Sequence, residues 1–84
     1  MWYVYALRSL ARNYIYVGLT SDLERRFKQH NDGKERTTRP YRPFRLILSE
    51  GFVTRAEARH REMYLKSGSG KEFLKKIDGR SKGV

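Results

Sequence analysis

The chain has 84 residues, no cysteine and a formal net charge of +10. A chain of this length fits one domain, residues 1–84, and buries only roughly 60% of its unfolded surface. Without cysteine it has no disulfide, no thiol nucleophile and no cysteine zinc site. The charge runs along the whole sequence, which indicates that the folded surface binds a polyanion. Nucleic acid, DNA or RNA, is the favoured partner over a membrane surface, because no segment forms a clean basic amphipathic helix.

The N-terminal residues are apolar only in patches, because Arg8 and Arg12 interrupt them. No stretch reads as a signal peptide or a membrane span. We therefore expect a cytoplasmic protein with no membrane partner.

Two strands are predicted first in the chain. In residues 2–7, aromatic and β-branched residues alternate, and residues 14–19 repeat the period-two pattern. Residues 8–13 between them have the length of a hairpin link. Antiparallel pairing of the two strands would bring Tyr5 and Tyr16 onto the same face of a sheet.

A helix is predicted over residues 22–32. Ser21 and Glu24 have the spacing of a capping box, in which Ser21 would be the N-cap. Gly33 is expected to end the helix.

Two polar side chains of this helix lie at the margin of its apolar face. Arg26 and His30 are four residues apart and fall on the side of Leu23 and Phe27, whereas Arg25 points the opposite way. An arginine in this position more often only covers apolar surface with its aliphatic stem. Helical phase alone therefore leaves both a structural and a chemical role open for Arg26.

Residues 33–43 show no apolar period and are predicted to form a loop. Its cations and its two threonines suit phosphate contacts. A solvated mobile loop explains any single one of these residues equally well. The residues concerned are Lys34, Arg36, Thr37, Thr38, Arg39 and Arg42.

The second half of the chain predicts one more strand and two helices. The strand covers residues 44–52, with Phe44, Leu46 and Leu48 on one face. A capping box at Thr54 and Glu57 opens a helix that runs to about Ser67. Together with the first half this gives an α+β fold, a three-stranded antiparallel sheet flanked by helices. A short helix capped by Ser69 is expected to reach Ile77, and residues 78–84 to form a frayed basic tail.

Glu62 is the carboxylate that remains when the other acids are assigned to caps and element ends. It lies in mid-helix on the stripe of Ala58 and Leu65, where a charge is costly unless it is paired. An arginine partner is the commoner outcome, and a hard cation is the alternative. Magnesium accepts one carboxylate when water and substrate phosphate complete its octahedron.

These residues together resemble the GIY-YIG endonucleases over essentially the whole chain. Tyr3-Val4-Tyr5 is similar to the G-I-Y element and Tyr16-Val17-Gly18 to the Y-I-G element of that family. Arg26, His30 and Glu62 follow in order where the family has its helix arginine, a frequent histidine and its metal-binding glutamate. No asparagine stands after the glutamate as in larger members; Lys66 and Ser67 are nearest.

The resemblance implies a metal-dependent endonuclease that hydrolyses DNA phosphodiester bonds, with structure-selective action in repair or recombination. Glu62 would bind Mg²⁺ or Mn²⁺, and Arg26 would clamp phosphate oxygens with its planar fork. Tyr5 or Tyr16 would be the general base, and His30 would orient water or phosphate. No small-molecule cofactor is expected. The alternative is a catalytically weak nucleic-acid-binding module that acts with a targeting protein.

Overall fold

The computed structural model describes residues 1–79, and the predicted tail at residues 80–84 lies outside them. Within the described part, no helix has the length and apolar character needed to cross a membrane. The elements are β1 (Trp2–Ser9), β2 (Ile15–Thr20), α1 (Leu23–Asn31), a 3-10 turn (Arg39–Tyr41), β3 (Phe44–Phe52), α2 (Arg55–Leu65) and α3 (Gly68–Asp78).

The three strands form one antiparallel sheet in the order β2-β1-β3. The central strand is β1, which is buried from Val4 to Ser9 because it has a neighbour on each side and a layer on each face. The predicted α+β fold with a three-stranded antiparallel sheet flanked by helices is confirmed.

The two faces of the sheet are covered by different helices. On one face, Val4 and Ala6 of β1 pack with Ala58 and Leu65 of α2 and with Leu74 of α3. We call this side the α2–α3 layer.

The opposite face carries the larger aromatic side chains. Tyr5 and Leu7 of β1 pack there with Phe44 of β3 and with Leu23 and Phe27 of α1. We call this side the α1 layer. The strict alternation along β1, with odd residues in one layer and even residues in the other, follows from the pleat of the strand.

The predicted alternation along β3 is wrong after Leu46. The pairing with β1 shifts between Ala6 and Leu7, so that Leu46 lies opposite Leu7 and Leu48 lies opposite Ala6. The extra residue, Ile47, makes a β-bulge and reverses the faces of the strand. Leu48 consequently packs in the α2–α3 layer, whereas Phe44 belongs to the α1 layer.

Two of the three predicted helix caps are displaced. The carboxylate of Asp22, not the Ser21 hydroxyl, accepts the backbone N–H of Arg25 at 3.2 Å, and α1 begins one residue later than expected. The capping box at Thr54 and Glu57 is confirmed.

The cap of α3 is Ser67 and not Ser69, because the Ser67 hydroxyl accepts the backbone N–H of Gly70 at 3.2 Å. Gly70 lies in the first turn of α3, where the helix packs closely against the end of α2. A Cβ there would come within 2.5 Å of Leu65 Cα. Gly70 therefore allows the close approach of α3 to the end of α2.

The predicted fraying from Asp78 onward is also wrong for that residue. Asp78 ends α3, and its side chain is only 1% exposed. Its carboxylate forms ion pairs with Arg8 of β1, at 3.5 Å, and with Arg45 of β3. The end of α3 is thereby fastened to two strands of the sheet.

Candidate active site

The pairing of β1 with β2 brings the two tyrosines of the resemblance together. Leu7 lies opposite Tyr16 and Tyr5 lies opposite Gly18, so both phenols project into the α1 layer. Their ring centroids are 6.1 Å apart. A Cβ at Gly18 would stand 2.5 Å from the Tyr5 hydroxyl oxygen. Gly18 is thus the position that leaves room for the tyrosine pair.

His30 lies beneath this pair at the end of α1, with no exposed surface. Its Nε2 shares a hydrogen bond with Tyr5 Oη at 2.9 Å, and its Nδ1 shares one with Thr38 Oγ1 at 2.8 Å. Burial, helped by the charge of Arg26, lowers the pKa of His30 to about 4. The imidazole is therefore neutral at pH 7 and acts as donor to one hydroxyl and acceptor from the other.

This geometry differs from the predicted roles of His30 and Thr38. Both side chains are fully buried and are hydrogen-bonded to each other, so neither presents an atom to water or to a phosphate. They hold Tyr5 in place instead. This pairing could not be predicted, because the loop that carries Thr38 lacks an apolar period.

Tyr5 is 1% exposed, and its burial raises the pKa of its phenol well above the usual value. The neighbouring Tyr16 raises it further, and the Arg26 guanidinium lowers it in part. Tyr5 consequently keeps its proton near neutral pH and belongs to the hydrogen-bonded support of the site. Tyr16 is only half-buried and lies on the edge strand.

Arg26 lies half-buried beside the tyrosines, whereas Arg25 is exposed. The Arg26 guanidinium donates to Glu35 Oε2 at 2.8 Å and to Gln29 Oε1 at 3.0 Å. The bond to Arg26 in turn holds the pKa of the Glu35 carboxyl below its usual range. Glu35 was missed as a site residue, although a lone acid inside a basic loop is the signal that could have found it.

The loop cations divide into two kinds. Arg39 donates its Nε–H to the Gly33 carbonyl at 2.8 Å, and the Arg42 guanidinium covers Gly33, which has a φ of +77°. Within the described residues no ion pair or hydrogen bond engages the exposed side chains of Lys34 and Arg36. Two of the four cations therefore shape the loop, and two project from it.

Glu62 lies on α2, and its side chain is 8% exposed. Its Oε1 accepts from Arg59 at 2.8 Å, and its Oε2 pairs with Lys66 at 3.4 Å. The salt bridge that the sequence favoured is thus present. Because α2 belongs to the α2–α3 layer, Glu62 lies on the opposite side of the sheet to His30.

The chemistry of this carboxylate fits a single hard cation that is bound mainly by water and phosphate. Among residues 1–79 no group of three or more histidine, cysteine, aspartate or glutamate side chains could form a complete metal cage. The two cations on Glu62 mark a place where positive charge is favourable. Lys66 also lines one groove together with Tyr16.

Comparison with known proteins agrees with the resemblance that the sequence motifs carry. The sequence model of the GIY-YIG catalytic domain matches residues 1–78. A UPF0213 protein of Clostridium perfringens is 37% identical, over 96% of this chain and 87% of that protein. A UPF0213 protein of Staphylococcus haemolyticus is 37% identical, over 93% of this chain and 95% of its own length. The UPF0213 protein YazA of Bacillus subtilis is 48% identical over 52 residues, which span 52% of that protein.

One solved structure is similar over most of the chain. The solution NMR structure of a UPF0213 protein from Bacillus halodurans has a TM-score of 0.55 and 37% sequence identity. The match covers 94% of this chain and 87% of that one.

Proposed function

The chain belongs to the GIY-YIG family of nucleases, and we propose that it is a divalent-metal-dependent endonuclease that hydrolyses phosphodiester bonds of DNA. The observation that carries the proposal is the convergence of Tyr5, Tyr16, His30 and Arg26 on one face of the sheet. We further propose that it selects DNA by structure and acts on the branched or damaged substrates of repair and recombination. The support for this extension is the resemblance to the family.

Arg26 is the group that we assign to the scissile phosphate. Its planar guanidinium matches two phosphate oxygens, and it already binds a carboxylate of similar geometry, that of Glu35. An incoming phosphate would take the place of Glu35. The negative charge that develops on phosphorus oxygens during attack would then face a fixed cation.

Tyr16 is the general base in this proposal. As water attacks phosphorus, the Tyr16 oxygen accepts its proton and passes the phenol's own proton to solvent, and the bond to the leaving oxygen breaks. Tyr16 lines a groove with Lys66 and Lys71, so water and a phosphate can reach it. The buried Tyr5, held by His30, keeps its own proton and positions the site.

Glu62 is the residue that would hold Mg²⁺ or Mn²⁺, which would neutralise charge on the phosphate and on the leaving oxygen. The contacts with Arg59 and Lys66 support this assignment, because they show that the carboxylate attracts cations while it is buried. Both side chains are exposed and long enough to turn toward solvent.

The basic loop is proposed to bind the DNA backbone. Lys34 and Arg36 project from it and are the phosphate contacts in this view. Arg39 and Arg42 are also exposed, and they add positive charge while they hold the loop around Gly33. Duplex DNA would then lie over the side of the molecule that carries Arg26.

A catalytically weak module that acts with a targeting protein is the second candidate. The observation that favours it is that both oxygens of Glu62 are engaged, by Arg59 and by Lys66. In this case the protein would bind nucleic acid, DNA or RNA, without cleaving it.

Incubation with nicked, branched and duplex DNA and with RNA, in Mg²⁺, Mn²⁺ or EDTA, separates the two candidates. We expect cleavage of DNA only with a metal, and a loss of roughly 10²-fold or more in Glu62→Gln. Glu57→Gln is the matched control on the same helix, because glutamine also closes a capping box. Cleavage in EDTA, or full activity of folded Glu62→Gln, would remove the metal assignment. Binding without cleavage of any substrate would favour the second candidate.

A further inference from the structure

A groove of about 560 Å³ runs along the outer edge of β2. One wall consists of the consecutive residues 13–17, whose side chains point alternately to both faces of the sheet. The groove therefore follows the edge of the strand and not one face. Among the described strands, β2 pairs only with β1, so the backbone on this edge is open to a ligand.

The other wall is basic. It contains Lys66 at the end of α2 and Lys71, Leu74 and Lys75 of α3. Lys71 and Lys75 are four residues apart on one side of α3, with Cβ atoms about 5–6 Å from each other. All three lysines are exposed. Lys75 also forms an ion pair with the carboxylate of Glu72, at 3.7 Å. A row of cations above an apolar floor favours a chain of phosphates.

The volume of the groove suits a ligand of nucleotide size. About 560 Å³ is in the range of clefts that hold such ligands. Proteins that bind single strands combine a positive groove with aromatic side chains on which bases stack. Here Tyr14 and Tyr16 line the groove at the edge of β2, with their rings in the α1 layer and the lysines on the α2–α3 side.

The aromatic wall continues into the basic loop. The ring of Tyr14 stacks on Tyr41 with centroids 3.9 Å apart and planes inclined by 18°, and Arg12 lies 5.9 Å from the Tyr41 ring centroid. The groove and the loop 33–43 are therefore joined by a stack of flat side chains. One continuous surface leads from the loop, past Tyr16, to α3.

We infer that this groove binds one single strand of nucleic acid, with Lys71 and Lys75 on its phosphates and the strand directed toward Tyr16. The inference rests on the proposed nuclease function and adds its substrate class, a nucleic acid with a single-stranded segment beside the cleavage point. The bases lie toward Tyr14 and the open edge of β2. DNA and RNA share this chemistry, and the choice between them is an arm of the test.

The experiment compares two variants of equal charge. The groove variant, Lys71→Ala with Lys75→Ala, removes the two lysines of α3 that line the groove. The control variant, Arg25→Ala with Lys76→Ala, removes two exposed cations that do not line it. Fluorescence anisotropy with labelled single-stranded DNA, single-stranded RNA and duplex DNA is measured in EDTA over a range of salt. Thermal unfolding checks that both variants are folded.

We expect the groove variant to lose about 25-fold in single-strand affinity near 0.1 M salt, and its salt slope to fall by up to about 1.4, since each lost phosphate contact contributes roughly 0.7. The control variant and the duplex should change several-fold less. Equal losses in the two variants, or a larger loss on duplex, would overturn the inference. Because binding is measured without metal, a chain that fails to cleave any DNA would refute the nuclease proposal and leave this result standing.

Discussion

Replacing Gly18 by alanine tests whether the tyrosine pair is as tightly packed as the structure indicates. The new Cβ would stand 2.5 Å from Tyr5 Oη, 2.6 Å from Tyr5 Cζ and 2.8 Å from Tyr16 Cε2. Tyr5 cannot move aside easily, because it is buried and hydrogen-bonded to His30. One of the two rings must therefore leave its position.

The expected cost combines two effects. Overpacking a buried site costs about 1–3 kcal/mol, and breaking the bond between Tyr5 and His30 leaves buried polar atoms unsatisfied, at about 1–3 kcal/mol more. We expect Gly18→Ala to lower the free energy of unfolding by about 3 kcal/mol. For a domain of this size that corresponds to a decrease in Tm of roughly 12–24 °C.

Gly51→Ala is the matched control in the same sheet. Its Cβ would meet Met1 Sδ at 3.0 Å, which is the end of a flexible, exposed side chain that can move. The control should therefore stay within about 0.5 kcal/mol of the parent. Urea unfolding of both variants measures the difference. If Gly18→Ala and Gly51→Ala agree within that margin, the close packing around Gly18 is not real.

Three further predictions concern ionisable side chains that are buried or half-buried. Because the pKa of His30 falls from 6.5 to about 4 on folding, only the unfolded chain gains this proton between those values. The free energy of unfolding should keep its full value above pH 6.5 and should fall by about 3 kcal/mol toward pH 4. Urea unfolding of His30→Gln should not show this dependence on pH. Asp78→Asn should cost about 3 kcal/mol in urea unfolding, because it removes one partner of a buried ion pair; Asp32→Asn, at an exposed pair, should cost little. Arg26→Lys should reduce kcat roughly 10²-fold while Arg25→Ala leaves it unchanged, since lysine lacks the planar fork; equal losses in steady-state cleavage would reject the assignment.

The strands and helices could be predicted where the spacing of apolar residues in the sequence matches the pattern of buried side chains. In β1, odd and even residues serve different layers, and the alternation of Tyr5 and Leu7 with Val4 and Ala6 is visible in the sequence. The tyrosine pair followed from the same argument, because antiparallel neighbours share a face. The cap at Thr54 was predictable because both of its partners are local.

The rest depends on contacts that are distant in sequence. The bulge at Ile47 has no local signal, because Leu46, Ile47 and Leu48 are all apolar and fit either face. Helical phase showed that Glu62 points inward but not which side of the sheet α2 would cover. The bond of Thr38 to His30 joins a loop without periodicity to a helix, and only the folded chain brings the two together.

The ion pairs of Asp78 with Arg8 and Arg45 have a consequence for how the chain folds during synthesis. The central strand β1 is made first, but an isolated hairpin of β1 with β2 is marginal in water. Its second neighbour arrives with residues 44–52, and the carboxylate that meets buried Arg8 arrives only with residue 78. At about 5–20 residues per second, these partners are synthesised on the order of ten seconds after the central strand. The sheet thus reaches its full set of described contacts only after α3 has been made.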